Sequence, residues 1–574
     1  MTNDQSQSSN LKIQSANSRS CLEAVSKLAR CTNKGMRYPL VSVPSFERRA
    51  SVSVVQPLLV ILCFVASVSL CEISALRAED NTLPAAVLEV MNQPRFKHAH
   101  WGFLVVDVTS GDVAHELNAD KLFAPASVTK CFSVASALEY LGADYRFETP
   151  IVRRGEVDDK GELAGDLILI AAGDLSLGGR TTESGEILYT DSDHTYANGG
   201  SETQLTPQDP LAGLNELAKQ VVTAGIKRVR GDVLVDDRLF DKSEGTGSGP
   251  SNLVPILVND NVIDFTIEPT EAGQAAKVTW RPQTAAIRVE THVETVAKGG
   301  SPSTGIRNDG AGRINVHGKI PAGHKPVMRV YEISDAASFA RTLLIEALRR
   351  EGVVVDASAL TEQSSGKLPA RDETLKLPSV AKLVSPPFAE NARLILKVSH
   401  NLHASTLPLL VAARHGERTL ADGLKRQRQF LEKAGVDVNT ISFGGGAGGA
   451  RADYVTPRAT VQLLRYMATR PNFEAYRKAM PRLGVDGTLA KVVDRDSPAK
   501  DKVNAKTGTL YWDNVMNGHP LLTSKALAGY LTTADGKTYA FALFVNNAHL
   551  RDGVTTATVG RDLGKICEIL YRGQ

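Results

Sequence analysis

Residues 125–142 read PASVTKCFSVASALEYLG, and a change of period inside this stretch decides the fold. Val128, Cys131, Phe132, Val134, Ala135, Leu138 and Leu141 recur at the three-and-four spacing of an apolar helix face, and Gly142 ends the run. Before Pro125 the texture is that of strands. Residues 101–108 (WGFLVVDV) read as one, 109–112 (TSGD) as a turn and 113–117 as the returning arm of a hairpin. A helix is predicted near 83–91. The C-terminal end has the same mixed texture. Helices are predicted over 387–402, 404–414, 418–434 and 457–469, then strands over 526–533 and 539–546 joined by Ala534-Asp535-Gly536-Lys537, then a helix over 558–571.

The middle of the chain differs. From about 150 to 377, short β-rich runs (167–171, 228–235, 277–280, 287–293) alternate with Gly/Asp turns, helices at 210–224 and 337–351 interrupt them, and 181–204 and 299–312 read as loops. The pattern predicts an α/β domain split into 79–150 and 378–574. An inserted domain occupies 151–250 with 326–377, a second one 251–325, and a head covers 1–78. At 574 residues the chain is too long for one core. Its 42% hydrophobic and 22% charged content is that of an ordinary globular protein. Lys+Arg 66 against Asp+Glu 63, with no basic cluster interleaved with aromatics, argues against nucleic acid as a partner.

Hydropathy concentrates at 58–70 (LLVILCFVASVSL), with Arg48 and Arg49 before it and mostly small residues at 74–78 after it. That is the order of a secretory signal. The run is shorter than the roughly 20 residues of a spanning helix. Counted from Val52 it comes close, so an uncleaved anchor over 52–70, giving membrane contact through this segment alone, is one alternative and a buried core helix another. The polar first 35 residues make Met36 a candidate start. Cys71 invites lipidation, but Leu70 stands where a small residue is wanted. Of six cysteines only Cys131 and Cys567 would survive cleavage after this segment, which is no disulfide framework, and no Cys/His spacing suggests a metal. Cys131 reads as a core residue.

Ser127 and Lys130 lie three apart, so their side chains share a helix face one turn apart. A serine at a helix start can attack a carbonyl while its own N–H holds the oxyanion, and a lysine in an apolar surround can serve as its base. S-x-x-K also occurs at Ser9–Lys12, Ser364–Lys367, Ser379–Lys382 and Ser497–Lys500, but only Ser127 opens a long apolar helix. Ser399-His400-Asn401 follows Leu394-Ile395-Leu396, near the junction of two predicted helices. Ser399 could relay a proton to a leaving amine and Asn401 could hold a substrate amide, or the triplet could simply cap a helix. Lys506-Thr507-Gly508 sits in the strand-like 503–510. Lys506 and Thr507 supply a cation and a hydroxyl for a carboxylate, Gly508 leaves room for a substrate backbone, and the Thr509 N–H completes an oxyanion hole. No G-x-S-x-G elbow occurs. The glycine run at 444–449 lacks the GK[ST] of a phosphate loop and reads as a flexible turn, and Asp236-Asp237 and Asp260/Asp264 read as solvated turns.

With the three motifs in this order, the chain resembles the class C low-molecular-mass penicillin-binding proteins, the D-alanyl-D-alanine carboxypeptidase/endopeptidase family. PASVTK (125–130), GDVLVDDRLFD (231–241), KVSHNLHASTL (397–407), VTP (455–457) and ALAGYLTTADGKTYAFALFVNN (526–547) carry the resemblance. It implies an α/β (α+β) penicillin-binding/β-lactamase-like transpeptidase domain split by a large β-rich multi-domain insertion. It implies an exported enzyme, periplasmic or in the cell envelope, acting on peptidoglycan stem peptides and trapping β-lactam antibiotics at Ser127, with no metal or organic cofactor. Ser127, Lys130 and Ser399 would be catalytic. Asn401, Lys506, Thr507, Gly508 and Thr509 would bind substrate. One departure stands out: where the family tends to carry a D-G-S-G-L-S-like stretch, this chain reads Gly445-Gly446-Ala447-Gly448-Gly449-Ala450. The alternatives are a related serine hydrolase (a β-lactamase or esterase) or a catalytically weakened cell-wall-binding protein.

Overall fold

The computed structural model describes residues 83–199, 203–310, 312–363, 365–551 and 553–573, so the apolar run at 58–70 and Ser364 lie outside the described residues. Among the described residues no helix is long and apolar enough to cross a membrane.

The two ends of the chain build one antiparallel sheet. Its order is Val113–Leu117, His100–Asp107, Thr538–Asn546, Leu521–Thr532, Val503–Trp512, with the short Ala548–His549 also paired to Leu521–Thr532. The N-terminal hairpin joins the C-terminal strands directly, from His100 opposite Asn546 to Asp107 opposite Tyr539. WGFLVV is continuously apolar because the sheet is covered on both faces. Trp101, Phe103 and Val105 enter one core with Val87 of the helix Ala85–Met91 and Leu563 and Ile566 of the helix Thr556–Arg572. Leu104 and Val106 enter the other with Phe132, Leu463 and Phe544.

The helix Thr129–Tyr140 is buried from Thr129 to Leu138 on every side, not only along its apolar stripe. It packs against Phe388–Lys397, Asn401–Arg414 and Leu420–Lys433, and a helix so enclosed accepts small residues such as Ser133 and Ser136 all round.

The middle of the chain forms a four-stranded sheet, in the order Ser379–Val384, Glu148–Arg154, Asp166–Ile170, Val233–Asp236. Two three-stranded sheets accompany it. One is Lys277–Arg281, Val262–Glu268, Val327–Glu332, and the other is Arg288–Val296, Arg313–Pro321, Ser303–Asn308. The helices Ala212–Thr223 and Ala336–Arg350 pack on each other.

Several local expectations need correction. The stretch 299–312 holds the strand Ser303–Asn308, whose Gly/Ser-rich sequence hides a pairing with Arg313–Pro321. The run 228–235 divides into Arg228–Val229 and Val233–Asp236. Ser379, the serine of another S-x-x-K match, opens a strand. The predicted helix 387–402 stops at Lys397 and resumes at Asn401, because Ser399 takes a left-handed backbone (φ 66°) that no helix accommodates. The strands Glu148–Arg154 and Val262–Glu268 and the helix Phe473–Ala479 are absent from the sequence-based expectations, although Ile263, Phe265 and Ile267 alternate with polar residues at the strand period.

Candidate active site

Pro125 is followed by a single 3₁₀ turn, Ala126–Val128, before the long helix begins at Thr129. Ser127 is therefore on the tight lead-in turn and not on the α-helix itself. Ala126 has φ 47°, an uncommon conformation for a residue with a Cβ, and it is buried. Ser127 is half-buried and Lys130 is fully buried.

The Lys130 Nζ has three neighbours: Ser127 Oγ at 2.8 Å, Asn401 Oδ1 at 2.7 Å and the Ala447 carbonyl at 2.8 Å. Burial, reinforced by the cation of Lys506, holds the Lys130 ammonium well below the ordinary lysine range. A neutral amine has two N–H donors and one lone pair. Asn401 Oδ1 and Ala447 O can only accept, so they take both donors, and the lone pair is left facing the Ser127 hydroxyl. This arrangement can draw the proton from Ser127.

Asn401 is aimed by the break in the helix. The Tyr196 hydroxyl donates to the Ser399 carbonyl (2.7 Å) and accepts from the Asn401 N–H (2.9 Å), pinning both sides of the left-handed turn. The Asn401 Nδ2 donates to the Ser248 carbonyl at 3.0 Å, which fixes its amide with Oδ1 toward Lys130. The helix cap in this motif is His400, whose Nδ1 accepts from the His403 N–H, and not Ser399. Ser399 is half-buried, and among the described residues its hydroxyl makes no hydrogen bond to Ser127 or Lys130.

Val503–Trp512 is an edge strand of the central sheet. Pro481 and Leu483 bond its first residues, at Ala505 and Val503, and an edge beyond such cover can take an extended peptide by backbone pairing. Lys506 is fully buried, its Nζ donates to the Thr507 carbonyl (2.9 Å), and burial brings its pKa down to about 7. The Thr507 hydroxyl donates to Thr488 Oγ1 (2.8 Å), and the Thr509 hydroxyl accepts from Lys525 Nζ (2.9 Å). Burial lowers the Lys525 pKa to about 8.

Gly508 has a reason the sequence did not reveal. A Cβ there would lie 2.4 Å from the Pro125 carbonyl and 3.3 Å from the Ala126 Cβ, so this glycine lets the strand lie against the turn that carries Ser127.

The glycine run is not a flexible turn. The Ala447 carbonyl meets Lys130, and the Gly446 carbonyl accepts from Ser133 Oγ at 2.7 Å. Asp453 ties the two ends of the run, accepting from the N–H groups of Gly444 (2.7 Å) and Ala450 (2.8 Å). Gly448, with φ 87°, abuts the Ala126 carbonyl. Ala447, Tyr196 and Ser248 are thus site residues that sequence reasoning missed. A backbone carbonyl leaves no mark in a sequence, and the other two come from the middle of the chain.

Asp260 and Asp264 are not solvated turns either: they are 4% and 1% exposed, and Asp236 is 2% exposed. Asp260 is paired with Arg180, Asp264 with Arg281 and Asp236 with Arg238, which is what makes their burial tolerable. Cys131 and Cys567 are free and buried, and burial pushes both thiols up to about 12.

Residues 83–561 match the family described as D-Ala-D-Ala carboxypeptidase 3 (S13). The chain is 27% identical over 524 residues to a D-alanyl-D-alanine carboxypeptidase of Actinomadura sp. strain R39, covering 88% of this chain and 87% of that protein. It is 24% identical over 467 residues to the D-alanyl-D-alanine carboxypeptidase DacB of Haemophilus influenzae, covering 78% and 85%. Its fold is similar to the crystal structure of penicillin binding protein 4 (dacB) from Haemophilus influenzae, with a TM-score of 0.63 at 21% identity, over 85% of this chain and 99% of that one.

Proposed function

The chain belongs to the D-Ala-D-Ala carboxypeptidase 3 (S13) family, and from that premise we propose how its own residues carry out the reaction. It is a serine-type D-alanyl-D-alanine carboxypeptidase/endopeptidase of peptidoglycan stem peptides, and it binds penicillin covalently.

The Ser127 hydroxyl gives its proton to the Lys130 lone pair as Oγ attacks the carbonyl of the penultimate D-alanine. The N–H groups of Ser127 and Thr509 hold the resulting oxyanion. Collapse breaks the peptide bond. The leaving amine takes up the proton that Lys130 received, with Ser399 and Lys506 assisting its protonation, and water then clears the acyl-enzyme. Asn401 holds the substrate amide, Lys506 and Thr507 hold the terminal carboxylate, and the open edge beyond Gly508 aligns the peptide backbone. The observation that supports these roles best is the saturation of both Lys130 N–H donors by Asn401 and Ala447, which leaves only the lone pair for Ser127. The weakened, wall-binding alternative drew on the altered glycine stretch. That stretch meets Lys130 through its backbone, a contact that needs no serine or aspartate side chain.

In this reading the split catalytic domain is 79–150 with 378–574, the insertions are 151–250 with 326–377 and 251–325, with the boundary strands Glu148–Arg154 and Ser379–Val384 paired into the first insertion's sheet and Val327–Glu332 into the sheet of the second, and the apolar segment at 52–70 directs export to the periplasm or cell envelope. The test uses purified protein with a fluorescent penicillin and disaccharide-pentapeptide. We expect a covalent fluorescent band and release of D-alanine. Absence of the band would overturn the acyl-enzyme, and a band without D-alanine release would move the reading to a β-lactamase or esterase.

The pH profile follows from the lysines. With a pKa of about 7, Lys506 is cationic below that pH and neutral above it, whereas the substrate carboxylate is anionic on both sides. Specificity (kcat/KM) should therefore fall as pH rises through about 7, by roughly tenfold per unit. In the complex the bound carboxylate raises the Lys506 pKa, so the same fall in kcat should come at higher pH. On the acid side kcat/KM should fall as Lys130 gains its proton. A kcat/KM flat from about pH 6 to 9 would remove the Lys506 role.

A further inference from the structure

Behind the Ser399–Asn401 turn lies a buried cluster that the reaction does not use. Asp260, His400 and His403 bring ligand atoms within 4.8 Å of one another, and so do Asp193, His194 and Asp260. All five residues are buried. Asp260 belongs to both sets.

Two observations point to a cation. First, His400 is fully buried and its Nε2 has no hydrogen-bond partner. It faces Asp193 Oδ1 at 3.6 Å and Asp260 Oδ1 at 3.7 Å. These distances are too long for hydrogen bonds. They suit two ligands of one ion, which lie about 3.3–3.7 Å apart when each is about 2.0–2.1 Å from the metal. An unpartnered group at such depth calls for an ion or a water.

Second, Arg180 takes the Oδ2 atoms of both carboxylates, at 2.7 Å and 2.6 Å, which turns their Oδ1 atoms toward His400. His194 and His403 flank Asp260: His194 Nδ1 bonds Asp264 Oδ1 at 2.6 Å and its Nε2 bonds Asp260 Oδ2 at 2.7 Å, and His403 Nε2 bonds Asp260 Oδ1 at 2.6 Å, so an ion would replace both contacts to Asp260. Asp193, Asp260 and Asp264 carry three negative charges against the two positive ones of Arg180 and Arg281. A proton on His194 closes that balance, and a divalent ion in its place leaves the cluster at +1.

We propose that this cluster binds one divalent transition-metal ion of the Zn²⁺ class, with Asp260 as the central ligand and Asp193, His194, His400 and His403 around it. Imidazole and carboxylate donors in a fully buried site favour such an ion over Mg²⁺ or Ca²⁺. The proton balance is defined. His194 releases its Nε2 proton to solvent and keeps Nδ1–H on Asp264. His403 and His400 shift their ring protons to Nδ1, and His400 gives up the long 3.3 Å cap bond to the His403 N–H. The ion would brace the segments carrying Asp193 and Asp260 against the helix Asn401–Arg414.

The test uses untagged, full-length protein purified without chelator. Elemental analysis should give about one zinc per chain. Apo-protein titrated with CoCl₂ should develop visible absorption saturating at about one equivalent, and ZnCl₂ should abolish it and raise Tm by about 3 °C or more. His403→Gln should weaken Co²⁺ binding by about tenfold or more, and Asp260→Asn should remove it. If Asp260→Asn does not fold, the wild-type spectrum and His403→Gln decide. Protein that carries no metal, gives no Co²⁺ spectrum and keeps its Tm with ZnCl₂ or EDTA would show that a histidine proton alone balances the cluster, and would overturn the proposal.

Discussion

Ser127→Ala should show no covalent penicillin band and lose about 10⁴-fold or more in D-alanine release, and Lys130→Met should fall within about tenfold of it. The two losses differ in kind. Ser127 is half-buried and among the described residues its Oγ bonds only Lys130, so truncating it leaves the packing intact and Tm nearly unchanged. Lys130 is fully buried and satisfies Asn401 Oδ1 and the Ala447 carbonyl. Methionine keeps the shape but strands both acceptors, at about 1–3 kcal/mol each, partly offset because no amine then needs to be buried. Lys130→Met should therefore lose activity and some stability together. Because the pair acts as a unit, the double variant should be no slower than Ser127→Ala alone. Stopped-flow acylation with a chromogenic penicillin, alongside thermal melts, separates these outcomes. Acylation of Lys130→Met within tenfold of wild type would mean that another group takes the Ser127 proton.

How far the sequence discloses this site depends on which part of each residue acts. Ser127 and Lys130 act through side chains on one continuous segment, and their spacing together with the apolar helix that follows picks them out among five S-x-x-K matches. The strands on either side are legible for a similar reason: a sheet covered on both faces needs continuous apolar runs, and WGFLVV and FALFV supply them. What stays hidden acts through backbone or through distant chain. The Ala447 carbonyl could belong to any residue. Tyr196 and Ser248 reach Asn401 from loops whose Gly/Ser/Asp texture reads as solvent-facing. Asp260 and Asp264 look like turn acids until Arg180, distant in sequence, is seen beside the first and Arg281, opposite on the neighbouring strand, beside the second. The glycines mislead most. Composition marks 444–449 as flexible, whereas its residues are held by Asp453 and pressed against the nucleophile turn.

That pressing predicts the second large effect. Gly448→Ala should destabilise the protein by about 3 kcal/mol or more and slow acylation by about 10²-fold in the molecules that still fold. Two causes add at one position. The φ of 87° suits glycine and disfavours any L side chain, and the new Cβ would lie 1.9 Å from the Ala126 carbonyl and 2.8 Å from Thr129 Oγ1. Ala126 cannot retreat cheaply. It is already left-handed at φ 47°, and on the other flank the motif strand bears on the same turn, where even a Cβ at Gly508 would come within 2.4 Å of the Pro125 carbonyl. The turn holding Ser127 is thus clamped between two glycines on separate segments. Widening either one moves Ser127 relative to Lys130 and to the oxyanion donors, and reaction geometry tolerates little displacement. Gly445→Ala is the matched control. Its φ is not left-handed, and its Cβ would meet only the Thr246 side chain, at 3.3 Å, so it should melt and acylate close to wild type. Gly448→Ala acylating at the wild-type rate would mean that the turn yields without cost, and that the glycine run serves the chain's folding but not the placement of Ser127.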